Sequence, residues 1–327
     1  MRRRDAVKLL AGAVIAAPFR AAAQTPAKVF RLATFVGSLP ITADSPLGTL
    51  LTRALAEHGY TLGKNLEILA YGASGQPARL PQLARDIVAN KVDAAVVLGW
   101  PPAAAMKGTG IPTVVAVGAG DPVASGLVAS LARPGGNVTG ISDNATTLST
   151  KRLELLKLAV PSTRKVAMLW NKEDLGMTLR YQSSADAAKS LGVSVLPLGV
   201  AEPDDFGDAF TTMDREHPDS ILMVADSLTV LNRKRVYDYA NANRLPAFYE
   251  YDFFVRDGGL MSYGADFGES FERTASLVDR IFKGAKPSDL PFEEPTRYLF
   301  VINLKAAKAI GLDIPANVVG LADEVIE

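Results

Sequence analysis

The side chains that most often carry out catalysis or bind metals are scarce in this sequence of 327 residues. It contains no cysteine and two histidines, so disulfides, thiolate metal sites and cysteine nucleophiles are excluded. His58 and His217 lie in different parts of the chain, and no metal-ligand spacing surrounds either. Ser74 lies in YGASG, which is not the G-x-S-x-G pattern of a serine hydrolase. We therefore expect no catalytic residue and no metal site, and a hydrolytic enzyme is the least favoured interpretation.

Two glycine-containing stretches match nucleotide-binding motifs only in part. Gly118–Gly120 begins like a dinucleotide fingerprint, but the third glycine is missing and Pro122 occupies the turn. Gly59–Asn65, GYTLGKN, is shorter than a P-loop, and no Ser or Thr follows its lysine. A helix end followed by a turn explains this stretch better. The sequence therefore predicts no nucleotide and no other cofactor.

Polar and aromatic residues at or near the carboxyl ends of predicted strands are the better candidates for a site. Ligands of open α/β sheets bind at this edge. Two alternatives stay open, since Asp226 is equally well explained as a helix N-cap and Trp100 as a cover for the core edge. The predicted ligand-binding residues are Phe35, Ser38, Trp100, Pro101, Asp121, Asp143, Asn171, Asp226, Tyr249 and Tyr251.

Two similar series of alternating strands and helices position these residues. The first runs from a strand at Val29–Val36 to a short strand at Val138–Ser142, and the second begins with a strand at Lys165–Trp170. Each series closes with a double glycine followed by a strand, and the alternation implies parallel sheets. Further elements predicted in the second series are helices at Leu179–Leu191, Pro203–Glu216 and Leu228–Ala240 and a strand at Ala247–Tyr251.

This organisation predicts an α/β protein of two lobes with a ligand cleft between them. We expect the chain to cross between the lobes three times, near residues 144, 264 and 290. The first lobe then comprises residues 24–144 and about 264–290, and the second comprises residues 145–263 and about 291–327.

The first 23 residues have the three parts of a secretory signal peptide. Arg2–Lys8 is basic, Leu9–Ala17 is apolar but too short to cross a membrane, and Ala21–Ala23 fits cleavage before Gln24. Arg3–Lys8 also resembles a twin-arginine signal, and export by the Sec route stays open. Because no cysteine is available for a lipid anchor, we expect the mature protein to be free in the periplasm.

The charge of the predicted mature chain argues against nucleic acid as a partner. The formal net charge is +0, but residues 1–23 hold five cations and one anion, which leaves 30 basic and 34 acidic residues. A mildly acidic chain is not typical of nucleic-acid binding. The hydrophobic content of 48% indicates a full core, so we expect a small-molecule ligand held by a globular protein.

Three long motifs carry a resemblance to a known family. They are GLVASLARPGGNVTGIS (Gly126–Ser142), KRLELLKLAVPSTRKVAMLWN (Lys151–Asn171) and VINLKAAKAIGLDIP (Val301–Pro315). The sequence resembles, along its whole mature length, the ABC-transporter substrate-binding proteins that include tryptophan- and tyrosine-type binding proteins. The resemblance implies the type I periplasmic-binding-protein fold of two Rossmann-like lobes. It also implies capture of a small ligand, delivered by a monomer to a membrane permease and its ATPase.

The positions of the candidate residues at strand ends suggest roles for them in holding such a ligand. Asp226 or Asp143 would pair with an ammonium group, and the helix start at Pro101 would take a carboxylate. Tyr249, Tyr251 and Trp100 would pack against a ring. Trp100 replaces the small hydroxyl residue that family members often carry before this proline, so an indole either narrows the pocket or stacks on an aromatic ligand. A ligand sensor that presents its ligand to a receptor is the alternative to transport.

Overall fold

The structure, a computed structural model, describes residues 28–142 and 144–327. The predicted signal peptide, residues 1–23, and the predicted site residue Asp143 lie outside the described residues. Within the described ranges, we find no helix with both the length and the apolar character needed to cross a membrane.

The first lobe is built on a parallel sheet of five strands in the order β2-β1-β3-β4-β5. Its central strands are continuous apolar runs because helices cover both faces of the sheet. All neighbouring strands of this sheet are parallel, and Leu32 of β1, for example, lies opposite Ile68 of β2. The strands are β1 (Phe30–Val36), β2 (Leu66–Gly72), β3 (Ala94–Leu98), β4 (Thr113–Val117) and β5 (Val138–Gly140).

The second lobe is built on a sheet of seven strands in the order β12-β11-β10-β9-β8-β6-β7. All neighbouring strands are parallel except one antiparallel pair, β10 and β11. The strands are β6 (Lys165–Asn171), β7 (Ser194–Val200), β8 (Ser220–Met223), β9 (Ala247–Tyr249), β10 (Met261–Ala265), β11 (Tyr298–Asn303) and β12 (Glu324–Ile326).

Helices cover both faces of each sheet, and alternate strand residues supply the two cores. The helices are α1 (Pro46–Glu57), α2 (Leu80–Ala89), α3 (Trp100–Met106), α4 (Ala145–Ala159), α5 (Leu175–Ser190), α6 (Asp205–Glu216), α7 (Ser227–Leu231), α8 (Arg233–Ala242), α9 (Asp252–Arg256), α10 (Phe267–Phe282), α11 (Leu304–Ala309) and α12 (Ala316–Val319). In the first lobe, α1 and α10 pack on one face of the sheet, and α2 and α3 pack on the other. In the second lobe, α4, α5, α11 and α12 pack on one face, and α6 to α9 pack on the other.

The chain passes between the two sheets three times, which confirms the predicted two-lobed α/β fold. It leaves the first sheet after β5, returns from β10 into α10, and enters the second sheet again at β11. β10 ends at this connection and β11 begins there, with Ala265 opposite Tyr298, so the two strands run in opposite directions. The residue numbers that divide the lobes stay a prediction.

One predicted helix is two helices in the structure. The stretch predicted as a helix at Leu228–Ala240 divides at Asn232 into α7 and α8. The Asn232 side chain donates a hydrogen bond to the Leu228 carbonyl at 2.9 Å, which competes with continued helical hydrogen bonding. This division turns α7 into a short helix whose first turn faces the cleft.

Hydrogen bonds tie the three connecting segments together. Glu293 pairs with the first segment, since its carbonyl accepts from Ser142 N–H at 2.8 Å. Glu269, at the start of α10, accepts from the Thr296 hydroxyl at 2.6 Å and from the Arg297 N–H at 2.7 Å. Burial acts to raise the pKa of Glu269, but these hydrogen bonds, together with one from Arg273, hold it at about 2. The ionised carboxylate therefore joins the second connection to the third.

We expect Glu269→Gln to remove part of the acid sensitivity of this protein. The depressed pKa contributes stability that is present above about pH 4.5 and is lost as the pH falls toward 2. Urea unfolding at pH 7 should show Glu269→Gln to be about 2–3 kcal/mol less stable than the wild type, with a smaller difference at pH 3. Glu272→Gln, on the exposed face of the same helix, is the matched control. Equal pH slopes for wild type and Glu269→Gln would contradict the role given to this carboxylate.

Candidate functional site

A cavity of about 540 Å³ lies between the two lobes. It is bounded by the carboxyl ends of strands from both sheets, where α/β proteins bind ligands, and its volume is within the range of small-molecule sites. The first lobe contributes the segments after β1, β2, β3 and β4, the start of α1, and Phe267 of α10. The second contributes the segments after β6, β7, β8 and β9, the starts of α5, α7, α8 and α9, and Asp257.

The wall formed by the first lobe is almost entirely apolar. Ser38 is the one described lining residue on this wall whose side chain can form hydrogen bonds. Four prolines and four glycines make up much of the remaining surface. The wall residues are Val36, Gly37, Ser38, Ile41, Pro46, Leu47, Leu50, Gly75, Pro77, Leu80, Leu98, Gly99, Pro101, Pro102, Val117, Gly118 and Phe267.

Asp226 is the centre of the polar wall formed by the second lobe. It is the N-cap of α7, and its Oδ1 accepts from the Thr229 N–H at 2.8 Å in a capping box. Its Oδ2 accepts from the Asn171 amide at 2.6 Å. Burial raises the pKa of Asp226 although these hydrogen bonds act to lower it. Asp226 is therefore a helix cap that also lines the cavity, and its contact with a ligand stays a prediction.

Asp174 is a second carboxylate on the same wall and is 1% exposed. It is the N-cap of α5, and its Oδ1 accepts from the Met177 N–H at 3.3 Å. Burial, followed by the nearby charge of Asp226, raises the pKa of Asp174 to about 7. Two carboxylates thus share one side of the cavity, and a pKa of about 7 means that Asp174 is partly protonated near neutral pH.

A buried ion cluster lies behind this wall. Glu250, directly after β9, pairs with Arg152 at 2.8 Å and with Arg180 at 2.7 Å. All three side chains are at most 2% exposed. Glu250 also accepts from the Ala225 N–H at 2.9 Å. Because Ala225 precedes Asp226, the cluster holds the start of α7 in place.

The lobes touch at the rim of the cavity through glycines. A Cβ atom added to Gly37 would lie 2.6 Å from the Ser227 Oγ and 3.0 Å from its Cβ. A Cβ atom on Gly120 would lie 2.9 Å from the Gly176 Cα, so the backbones themselves approach there. These contacts show that the structure has the lobes closed on each other, and that closure needs residues without side chains.

Five of the ten predicted site residues line the cavity. They are Ser38, Pro101, Asn171, Asp226 and Tyr251. Tyr251 lies there because β9 ends at Tyr249, two residues before the predicted strand end.

Four of the other five do not line the cavity, each for an identifiable reason. Phe35 is fully buried in the core between the first sheet and helices α2 and α3. Tyr249 is in the core of the second lobe, where it meets Tyr237 and Phe254. Asp121 closes a turn by accepting from the N–H groups of residues 123 and 124. Trp100 is half-buried beside the cavity, against Gly176 of α5, and Asp143 lies outside the described residues.

The sequence reasoning missed several lining residues, and Asp174 is the most important of them. It predicted the helix after β6 to begin at Leu179, whereas α5 begins at Leu175. The signal was present, since an Asp followed by an apolar helical pattern is a typical N-cap. Also missed were Met177, Arg233, Asp252, Phe253, Asp257 and Phe267.

A comparison with family profiles gives a match over residues 48–326 to the family described as ABC transporter substrate binding protein. The chain belongs to the ABC transporter substrate-binding protein family. This family consists of solute-binding proteins, and membership agrees with a cavity enclosed between two lobes.

Individual relatives add detail about the family. The chain is 27% identical to a tyrosine-binding protein of Clostridioides difficile, over 80% of this chain and 75% of that one. A conserved domain protein of Vibrio cholerae has a similar structure, with a TM-score of 0.83, 28% identity, and coverage of 91% of this chain and 100% of that one. A domain from Streptococcus pneumonia in complex with L-Trp has a TM-score of 0.78 at 25% identity, with the same coverage.

We expect Asp174→Asn to stabilise the protein at alkaline pH. A carboxyl whose pKa is raised from 3.8 to about 7 lowers stability as the pH rises between these values. Asn keeps the N-cap but carries no charge. Denaturation should therefore give nearly equal stabilities at pH 4 and a gain for Asp174→Asn of about 2–4 kcal/mol at pH 8.

Asp186→Asn is the matched control, because Asp186 is exposed on the same helix and pairs only with Lys189 nearby. A pH-independent loss of stability in Asp174→Asn would mean that Asp174 acts solely as a helix cap.

Proposed function

We propose that this protein is the solute-binding component of an ABC import system, exported to the periplasm. It captures a small ligand between its two lobes and delivers it to a membrane permease. The observation that carries the proposal is the cavity of about 540 Å³, enclosed where the lobes meet in a chain of this family. No step of this function requires covalent chemistry from the side chains of the cavity.

The lining supports a ligand with an aromatic or otherwise apolar body. Tyr251, Phe253 and Phe267 form an aromatic cluster on the cavity, with ring centroids 4.9–6.1 Å apart. Tyr251 and Phe253 belong to the second lobe and Phe267 to α10 of the first. An aromatic ligand packed here would contact both lobes, as closure requires. The tyrosine-binding and L-Trp-bound relatives agree with this ligand class.

Closure about the three connections is the mechanism that this arrangement supports. The lobes move as rigid bodies, and the ligand stabilises the closed state because only there does it touch both walls. Burial also removes water from the contacts with Asn171 and Asp226, which strengthens each polar interaction.

Thermal melting of the mature protein against amino acids, aromatic acids, amines and sugars tests the proposal. A ligand at 100 times its Kd adds about 2.7 kcal/mol of stability, so we expect a rise of several degrees in Tm with at least one solute. Tyr251→Ala should reduce that rise. Absence of any shift, together with absence of a co-purified small molecule in native mass spectrometry, would overturn the proposed function.

Gly37→Ala should weaken ligand binding by holding the lobes apart. The new Cβ would contact only Ser227 of the opposite lobe, so the fold of each lobe is left intact. We expect at least a tenfold loss of affinity in calorimetry, and a larger radius of gyration in solution scattering with the ligand present. The double variant Gly37→Ala/Ser227→Gly removes the clash and should recover most of the affinity.

Gly207→Ala is the control for the glycine substitution, because a Cβ atom at Gly207 meets nothing within 4 Å. If Gly37→Ala binds as tightly as the wild type, the closed arrangement described above is not the binding state.

A further inference from the structure

The charges that line the cavity lie on one wall. Among the described lining residues, the second lobe contributes four carboxylates and one cation, Arg233, whereas the first lobe contributes no charged side chain. Arg233 is already engaged, since its Nε donates to Asp257 at 2.6 Å and its Nη1 donates to the Val230 carbonyl at 2.8 Å. The cavity therefore has an excess of negative charge facing an apolar surface.

Two of the four carboxylates are paired with cations and two are not. Asp257 pairs with Arg233, and Asp252 pairs with Arg256 at 3.0 Å. In the part of the chain that the structure describes, no Lys, Arg or His lies within 4 Å of Asp174 or Asp226. Asp174 is 1% exposed, and its Oδ1 accepts from the Met177 N–H at 3.3 Å. The Gly176 N–H and the more distant charge of Arg180 also act to lower the pKa of Asp174, but burial outweighs them. A buried carboxylate without a cation destabilises the protein until a positive charge is supplied.

The described residues of the opposite wall offer few groups that bind a carboxylate. A helix N-terminus usually binds anions through its free N–H groups, but prolines remove some of these groups on the first lobe. α1 begins with Pro46, and Pro101 and Pro102 are the second and third residues of α3. Proline has no N–H, and Ser38 is the one side-chain donor among the described lining residues of this wall.

We propose that the ligand is an organic cation, a primary amine with an aromatic or apolar body and no carboxylate, whose ammonium group lies between Asp174 and Asp226. This inference rests on the proposed function and narrows its ligand class. The ammonium supplies the charge that the two carboxylates lack, and the body packs on Tyr251, Phe253, Phe267 and the proline-rich wall. A zwitterionic amino acid would place its own carboxylate either against that wall, where Ser38 is the one side-chain donor among the described lining residues, or beside the four acids, which repel it.

The amine should bind more tightly as the pH rises through about 7. Asp174 then loses its proton, which adds a second negative charge beside Asp226. The other charged groups around this pair are Arg180, held by Glu250, and the paired residues Arg233, Asp252 and Asp257. No described charged residue of the first lobe lines the cavity, so the change comes from the carboxylate pair.

Matched sets of probes test the inference by titration calorimetry at pH 8. Each set shares one body: tyramine, L-tyrosine and 3-(4-hydroxyphenyl)propionate; tryptamine, L-tryptophan and indole-3-propionate; and isoamylamine, L-leucine and 4-methylvalerate. We expect an amine to bind at least tenfold more tightly than its amino acid, and the acids not to bind. Asp174→Asn and Asp226→Asn should each weaken amine binding at least tenfold, and the exposed control Asp186→Asn should not.

An amino acid that binds as tightly as its amine, or a carboxylic acid that binds at all, would overturn the inference. So would a failure of all nine probes, or an amine affinity unchanged in both variants. In each case the proposed function stands if another solute raises the Tm and binding is weakened by Gly37→Ala, so the two failures are distinguishable.

Discussion

The position of the whole polar wall depends on one buried carboxylate, Glu250. Withdrawing a carboxylate from water is unfavourable by several kcal/mol unless charges and hydrogen bonds compensate. Here Arg152 and Arg180 pair with its two oxygens, and the Ala225 N–H adds a hydrogen bond. Arg152 also donates to the Tyr263 carbonyl at 2.8 Å. The ion cluster around Glu250 thereby holds four elements together: α4, α5, β10 and the end of β8. The starts of α5 and α7 project from that cluster, which is why Asp174 and Asp226 face one cavity.

The two walls of the cavity have different physical tasks. The second lobe supplies charge and hydrogen bonds from groups fixed by helix caps, so a polar ligand binds there in a defined orientation. The first lobe supplies apolar surface from Leu47, Leu50, Leu80 and several prolines. Burial of apolar area contributes about 25 cal/mol per Å² to the free energy of binding, and this contribution does not depend on the orientation of the groups in contact. Under the proposed function, a ligand would therefore bind to the polar wall first, and closure of the apolar wall would add affinity without rearranging the polar contacts.

The sequence predicted those features that local rules determine. Alternating patterns gave the two lobes and the parallel sheets, and the strand-end rule found Asn171, Asp226 and Tyr251. Features that depend on tertiary packing were missed. Tyr249 and Tyr251 have the same residue type and neighbouring positions, but β9 ends between them, so one is in the core and the other on the cavity. Asp174 was missed because the pattern of α5 is nearly uniform around its axis, and its first turn resembles a loop. The predicted carboxylate site at Pro101 stays a prediction, and Pro101 and Pro102 remove two of the N–H groups that the start of α3 would offer.

The glycines at the lobe contacts make affinity depend on more than contacts with the ligand. Observed affinity is the intrinsic affinity of the closed state multiplied by the fraction of molecules able to close. Gly37 leaves room for the Ser227 side chain of the other lobe, and Gly120 lets the backbone approach that of Gly176, so a methyl group at either position would oppose closure. The hydrogen bonds of Glu269 to Thr296 and Arg297 join two of the connections about which such a closure would turn. Under the proposed function, the cavity residues would therefore determine which ligand binds, and the glycines at the rim would influence how tightly it binds.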